Sequence, residues 1–201
     1  MKYVIHRGIT NKYIKENSYC AIKRALMDVN SSGVEFDIRL TKDNVIVLSH
    51  DSIDIESSNY SDIIKKKYLS TLDVILGINT KKILLIDIKV RNNYKRFAKR
   101  IIKYLDDINN KNIYLASFNK KIIKYLKKKT NYKLGYITFK NTKNNNYFEV
   151  INFITLSKNN INKYPNKEIF LWTIHNNNEL EEIKNKFSNI DDYYIIKDKK
   201  E

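Results

Sequence analysis

The sequence predicts a closed (β/α)8 barrel on three observations. Short β-rich segments alternate with helical ones along almost the whole chain, eight of them can be placed, and most are continuous β-branched or aromatic runs suited to strands covered on both faces. The strand candidates are KYVIHR (2–7), GVEFDIRL (33–40), KILLIDIKV (82–90), NIYLASF (112–118), KLGYITF (133–139), VINFITL (150–156), EIFLWTI (168–174) and DYYIIK (192–197). With 201 residues, the chain is expected to form one domain, 1–201, near the lower limit for such a barrel.

The intervening segments carry helical stripes. Ile22, Ala25, Leu26 and Val29 form one; Tyr94, Phe97, Ala98, Ile101, Leu105 and Ile108 form another. Ile122, Ile123 and Leu126 line one face of a lysine-rich helix, and Leu180, Ile183 and Phe187 line the last. Cys20 precedes the first stripe and is expected to be a small buried apolar side chain; as a lone cysteine it makes no intrachain disulfide.

One apolar run must stay outside the barrel. VIVLSH (45–50) follows GVEFDIRL after only TKDN (41–44), too short for a crossover, so it reads as a return arm carrying His50 back over the barrel mouth. The next crossover helix then comes from TLDVILG (71–77), after a polar excursion of 18 residues (51–68). Outer helices after FEV and after SKNN are expected to be very short, and none is expected after Lys197.

Composition excludes some functions. A content of 42% hydrophobic and 30% charged residues, with four Gly and one Pro, argues against a disordered or linker-like chain. No uncharged stretch is long enough to span a bilayer, and the first residues read as a strand, so a cytoplasmic protein is expected. The formal charge is +16, and residues 81–143 hold 19 Lys/Arg against three Asp, which accounts for the whole excess. Such a field suits a solvated basic face or weak attraction to anionic lipid or substrate. With 32 Lys to 6 Arg, specific nucleic-acid binding is not expected, because base-edge and bidentate phosphate contacts favour Arg.

In such barrels the chemistry sits at the C-terminal strand ends. His6-Arg7-Gly8 ends the first strand; Glu35 and Asp37, two apart, share a side of the second; Asp87 and Lys89 share a side of the third; His50-Asp51 arrives on the return arm. Phe36 and Ile38 belong to the helix-facing side, so the carboxylates face the interior. Three buried carboxylates repel unless a cation compensates, and together they make an oxygen shell for Mg2+ or Ca2+. Arg7 and Lys89 can neutralise phosphate oxygens, and His6 and His50 can act as acid and base on either side of a phosphodiester. Trp172 suits either packing against the organic part of a ligand or the core. His175 and Asp198 carry weaker signals.

These motifs resemble the glycerophosphodiester phosphodiesterase family, within the phospholipase C-like phosphodiesterase type of TIM barrel. The matching blocks are VIHRG, ENS (16–18), GVEFDIRLTKDNVIVLSHD (33–51), LSTLDVIL (69–76), LLIDIK (84–89), ASF (116–118) and LWTI (171–174). The resemblance implies His6 and His50 as the catalytic pair, Glu35, Asp37 and Asp87 as metal ligands, Arg7 and Lys89 as phosphate contacts, and Trp172 beside the substrate. It implies metal-dependent hydrolysis of a glycerophosphodiester to glycerol phosphate and an alcohol, with lysophospholipids as a variant substrate. The rival expectation is a weakly active barrel kept as a phospholipid-binding or interaction module. Three departures stand out: Asp87 where the family usually has Glu, a reduced insertion after the HD motif, and IIKDKK where the last strand usually ends in TD.

Overall fold

The computed structural model describes residues 2–51, 54–65, 69–106, 108, 111–139, 147–152, 168–186 and 193–201. In chain order the elements are β1 (Lys2–His6), α1 (Tyr19–Met27), β2 (Gly33–Leu40), β3 (Ile46–Leu48), α2 (Tyr60–Ile64), α3 (Leu72–Leu76), β4 (Ile83–Ile88), α4 (Tyr94–Leu105), β5 (Ile113–Ser117), α5 (Lys120–Lys127), β6 (Lys133–Thr138), β7 (Phe148–Asn152), β8 (Ile169–Ile174), α6 (Asn177–Lys186) and β9 (Tyr194–Lys197).

Eight parallel strands close on themselves. β1 pairs with β9 on one side and β2 on the other, giving the cycle β1-β2-β4-β5-β6-β7-β8-β9. β3 is the return arm. It runs antiparallel to β2, with Ile38 opposite Leu48 and Leu40 opposite Ile46. The same edge of β2 pairs with β1 at Gly33–Glu35, so β3 takes over that edge where β1 leaves the sheet.

Strand alternation divides the core into two layers. Val4, Ile83, Leu85, Tyr114, Ala116, Ile137, Phe148, Val150, Phe170 and Ile196 fill the barrel interior. The alternate residues Ile5, Phe36, Ile38, Leu84, Ile86, Ile88 and Leu115 pack outward against Ile22, Ala25, Phe97, Ile101, Ile122 and Leu126 of the helices. Full burial of each such side chain contributes about 1.5–3 kcal/mol. Gly135 permits a close interior contact, because a Cβ there would fall within 2.3–2.6 Å of the Phe148 ring.

The helices begin where short polar side chains satisfy free amides. Ser18 accepts from Ala21 N, Asn93 from Arg96 N, and Asn119 from Lys121 N and Ile122 N. α1 buries Ala21, Ile22, Ala25 and Leu26 but ends at Met27, which leaves Val29 beyond the helix and 92% exposed. Val29 therefore does not belong to the stripe. Cys20 is also exposed rather than buried, since two residues from Ile22 is about 200° round the helix, on the side opposite that apolar residue. α2 and α3 are single turns. β7 starts at Phe148, ahead of the expected position, and takes in FEV and the two residues after it; residues 153–167, which hold the rest of that expected strand and the segment after SKNN, and Phe187 lie outside the described residues. Among the described residues, no helix is long and apolar enough to cross a membrane.

Candidate active site

At the barrel mouth, His6, Arg7, Glu35, Asp37, His50, Asp87, Lys89 and Trp172 line one cavity of about 620 Å3. The backbone of the first turn makes this convergence possible. Arg7 takes a left-handed conformation (φ 53°) and Gly8 another (φ 89°); a Cβ on Gly8 would lie 2.5–2.7 Å from atoms of Ala21, so glycine lets α1 dock directly under the turn. Arg7 N donates to Glu35 O at 2.8 Å, tying the turn to β2.

Glu35, Asp37 and Asp87 each offer an oxygen within 4.8 Å of the others, and all three are buried. Burial, then the Asp37 and Asp87 charges, pushes Glu35 well above the usual carboxylate range. Burial likewise raises Asp87 to about 7, against the lowering effect of Lys89. Burial acts the same way on Asp37, but Lys89, Arg7 and a hydrogen bond from Asn17 outweigh it and hold this carboxyl below its ordinary value. The cluster can hold a divalent cation. Its donors are hard oxygens, its charge is compensated only in part, and Oδ1 of Asp87 is buried without accepting a hydrogen bond.

Two cations flank the carboxylates. Lys89 Nζ lies 2.5 Å from Asp87 and 3.1 Å from Asp37; Arg7 Nε lies 3.1 Å from Asp37 while Nη1 reaches Glu16 at 2.8 Å. Burial disfavours both charges, but the surrounding carboxylates more than offset it and raise both pKa values. Asn17 locks Asp37 by donating from Nδ2 to Oδ2 at 2.9 Å and accepting from Asp37 N at 3.0 Å.

The histidines arrive by different routes. His6 projects from the end of β1, with Nδ1 2.7 Å from Asp198 Oδ1 and Nε2 3.8 Å from Glu35. His50 follows β3, and its carbonyl accepts from Arg39 Nε at 3.0 Å and Nη2 at 2.7 Å. Arg39 Nη1 also pairs with Glu56 at 3.4 Å, so this largely buried guanidinium fastens the return arm to the polar excursion beyond it.

Several participants carried only a weak signal in the sequence, or none. Asp198 joins His6 and His175, whose Nδ1 is 2.7 Å from Oδ2; burial raises the Asp198 pKa, but the hydrogen bonds to both rings outweigh it and lower the value to about 2. The lost TD ending thus still places a carboxylate at the mouth. The inward alternation after Ala116 and Ile137 was the available signal for Phe118 and Phe139, which meet Trp172 at centroid separations of 5.9 and 5.7 Å. Trp172 donates from Nε1 to Val150 O at 3.2 Å. Arg39 had no signal beyond being a charge in a strand covered on both faces.

Comparisons with known proteins follow this geometry. Residues 6–59 match the Glycerophosphoryl diester phosphodiesterase family model. A glycerophosphodiester phosphodiesterase of Caldanaerobacter subterraneus subsp. tengcongensis is 25% identical over 150 residues, covering 62% of this chain and 61% of that enzyme. The chain thus matches about three fifths of the length of that curated relative. Among solved structures, a glycerophosphodiester phosphodiesterase from Parabacteroides distasonis superposes with a TM-score of 0.80 at 21% identity, covering 98% of this chain and 92% of that one. An Oleispira antarctica phosphodiesterase in complex with the product sn-glycerol-3-phosphate gives 0.77 at 14% identity, with 98% and 92% coverage. The chain thus resembles the glycerophosphodiester phosphodiesterase family in sequence across the segment that builds most of the site, and shares its phospholipase C-like TIM-barrel fold.

Proposed function

We propose that this protein hydrolyses phosphodiesters in a divalent-metal-dependent reaction, with a glycerophosphodiester giving glycerol phosphate and an alcohol. The observation that carries the proposal is the joining of two structures in one cavity: the Glu35/Asp37/Asp87 triad and two histidines. Glu35, Asp37 and Asp87 would hold the cation, and their all-oxygen donor set favours Mg2+ or Ca2+. When bound, the cation supplies charge neutralisation at a non-bridging phosphate oxygen.

The chain's own groups do the rest. Arg7 and Lys89, kept charged by the carboxylates beside them, draw the phosphate into the mouth and offset the negative charge that develops on it. Asp198 accepts a hydrogen bond from Nδ1–H of His6, which fixes the tautomer that leaves Nε2 as a proton acceptor aimed into the site. There it takes the proton of a water, or of a substrate hydroxyl beside the ester; in the second case the cyclic phosphate so formed is opened by water, the two histidines exchanging roles, to give the monoester. His50, on the separate arm, gives a proton to the leaving alkoxide. Trp172 packs against the organic portion of the substrate.

Hydrolysis of glycerophosphocholine and of bis(p-nitrophenyl) phosphate, each with added Mg2+ or Ca2+ and with chelator, tests this reading. Turnover that requires the cation is expected. Binding of these diesters without metal-dependent turnover would instead identify a phospholipid-binding module.

A further inference from the structure

Glu56 belongs to the polar excursion after His50, yet its side chain is only 18% exposed. Its Oε1 accepts from Arg91 N and its Oε2 from Asn92 N, both at 3.2 Å, and Oε1 also stands 3.4 Å from Arg39 Nη1. One carboxylate thus joins β2, the excursion and the loop between β4 and α4.

The backbone on both sides of this junction is fixed. Ile55, next to Glu56, is buried with Val47 and Ile63. Lys42 N donates to Ser58 O at 2.9 Å and Tyr60 N to Asp43 Oδ1 at 3.0 Å, so the same segment is fastened to the turn between β2 and β3. On the other side, the amides of Arg91 and Asn92 precede Asn93, which takes a left-handed conformation (φ 38°) and caps α4. Successive amides of this kind form a concave seat for an anion, and Glu56 fills it.

Both ends of the junction lead to the active site. The other nitrogens of Arg39 hold the carbonyl of His50 at 3.0 and 2.7 Å. Lys89 stands two residues before Arg91, and its Nζ reaches Asp37 and Asp87. Among the described residues, the excursion beyond His50 contributes no side chain to the cavity lining, so its route to the chemistry runs through Glu56.

We propose that Glu56 is a positioning residue, the single anchor that sets the return arm bearing His50 and the loop behind Lys89 at a fixed separation. The inference rests on the phosphodiester reading of the site and adds to it a residue outside the cavity. An amide cannot replace the carboxylate: in Glu56→Gln the nitrogen faces either Asn92 N or both Arg39 and Arg91 N, and one side of the anchor is released.

The test uses the full-length protein with Mg2+ and bis(p-nitrophenyl) phosphate. Glu56→Ala, with the volume-conserving Glu56→Gln in its place should the first fail to fold, is expected to lower kcat about tenfold through His50 and to raise KM about threefold through Lys89. Added to His50→Ala it should lower kcat no further, and added to Lys89→Ala it should raise KM no further. Ile63→Ala loosens the same excursion from its apolar side and should leave KM unchanged. The chain has three histidines, so their ring signals in a proton–carbon NMR spectrum report on the arm without turnover: the His50 signal should move in the Glu56 variant, while His6 and His175, both held by Asp198, keep theirs. Additive losses in either background, an equal rise of KM in Ile63→Ala, or an unmoved His50 signal overturns the anchor. The hydrolase reading fails separately, if the unsubstituted protein turns over no diester with metal; the histidine signals then still decide whether Glu56 holds the arm.

Discussion

Asp198 stands 2.7 Å from His6 Nδ1, and its second oxygen holds His175 at the same distance, so one carboxylate at the end of β9 orients two imidazoles. Asp198→Asn is expected to lower kcat by on the order of 10²-fold with little change in KM, since the lost element is the His6 tautomer rather than a substrate contact. Its folded pKa of about 2 lies below the ordinary value near 3.9. The stabilisation is thus complete above about pH 4 and lost as pH falls toward 2. Urea midpoints of the native chain and Asp198→Asn should converge over that window; a gap independent of pH between 2 and 5 would contradict the assignment.

His6→Ala and His50→Ala should each reduce kcat by at least about 10²-fold, while circular dichroism and metal binding stay nearly unchanged. A comparable loss in His175→Ala, with His50→Ala retaining activity, would move the second proton-transfer role from the return arm to the end of β8.

Asp87 has the opposite linkage sign from Asp198. Its folded value of about 7 exceeds that of an ordinary Asp, so in chelator the charged form destabilises the fold, the cost growing from about pH 4 to pH 7 and staying constant above. Asp87→Asn in chelator should be more stable than the native chain at pH 8 and equal to it at pH 4. With Mg2+ or Ca2+ at 100 times its Kd, the native chain gains about 2.7 kcal/mol and its deficit at pH 8 narrows accordingly. Thermal melts in the two conditions measure this directly.

Arg39 directs its hydrogen bonds away from the carboxylate triad, whose Asp37 and Asp87 charges it feels, and grips the carbonyl of His50 with two donors. Arg39→Met should cost roughly 1.5–3 kcal/mol of stability and about tenfold in kcat. Arg39→Lys should restore little, because an ammonium cannot reproduce the forked geometry. Adding Arg39→Met to His50→Ala should cause almost no further loss of kcat; additive losses would show that Arg39 acts by another route.

Lys127 ends α5, and Lys128 and Lys129 follow it at the foot of the barrel, away from the mouth. Replacing all three with Gln should leave kcat on a small soluble diester unchanged and weaken sedimentation with anionic vesicles at low salt. The vesicle effect should fade at physiological salt, where the Debye length is about 8 Å.

Much of the fold was legible because burial writes itself into periodicity. The two-sided apolar runs of β2 and β4 marked strands enclosed by helices, and the four residues 41–44 left no room for anything but a reversal before β3. The carboxylates were legible for the complementary reason: Glu35, Asp37 and Asp87 are costly charges in positions where apolar residues would be stable. Asp198 and Arg39 were not, because their importance lies in partners distant in sequence, His6 at 192 residues and His50 at 11. Val29 failed because α1 ends two residues before it, and Cys20 failed because it sits on the face of α1 turned away from the apolar stripe.

The handover of one β2 edge from β1 to β3 gathers His6, Arg7, Glu35, Asp37 and His50 onto a single contiguous stretch of backbone. Charge geometry there tolerates little change, whereas β5 to β8 line the cavity largely with apolar side chains, a demand that many sequences meet. Mutational drift is consequently free to run through the remainder of the barrel while the first quarter of the chain stays recognisable. That asymmetry is in keeping with a family-model match over residues 6–59 inside a fold whose likeness to solved structures extends over 98% of the chain.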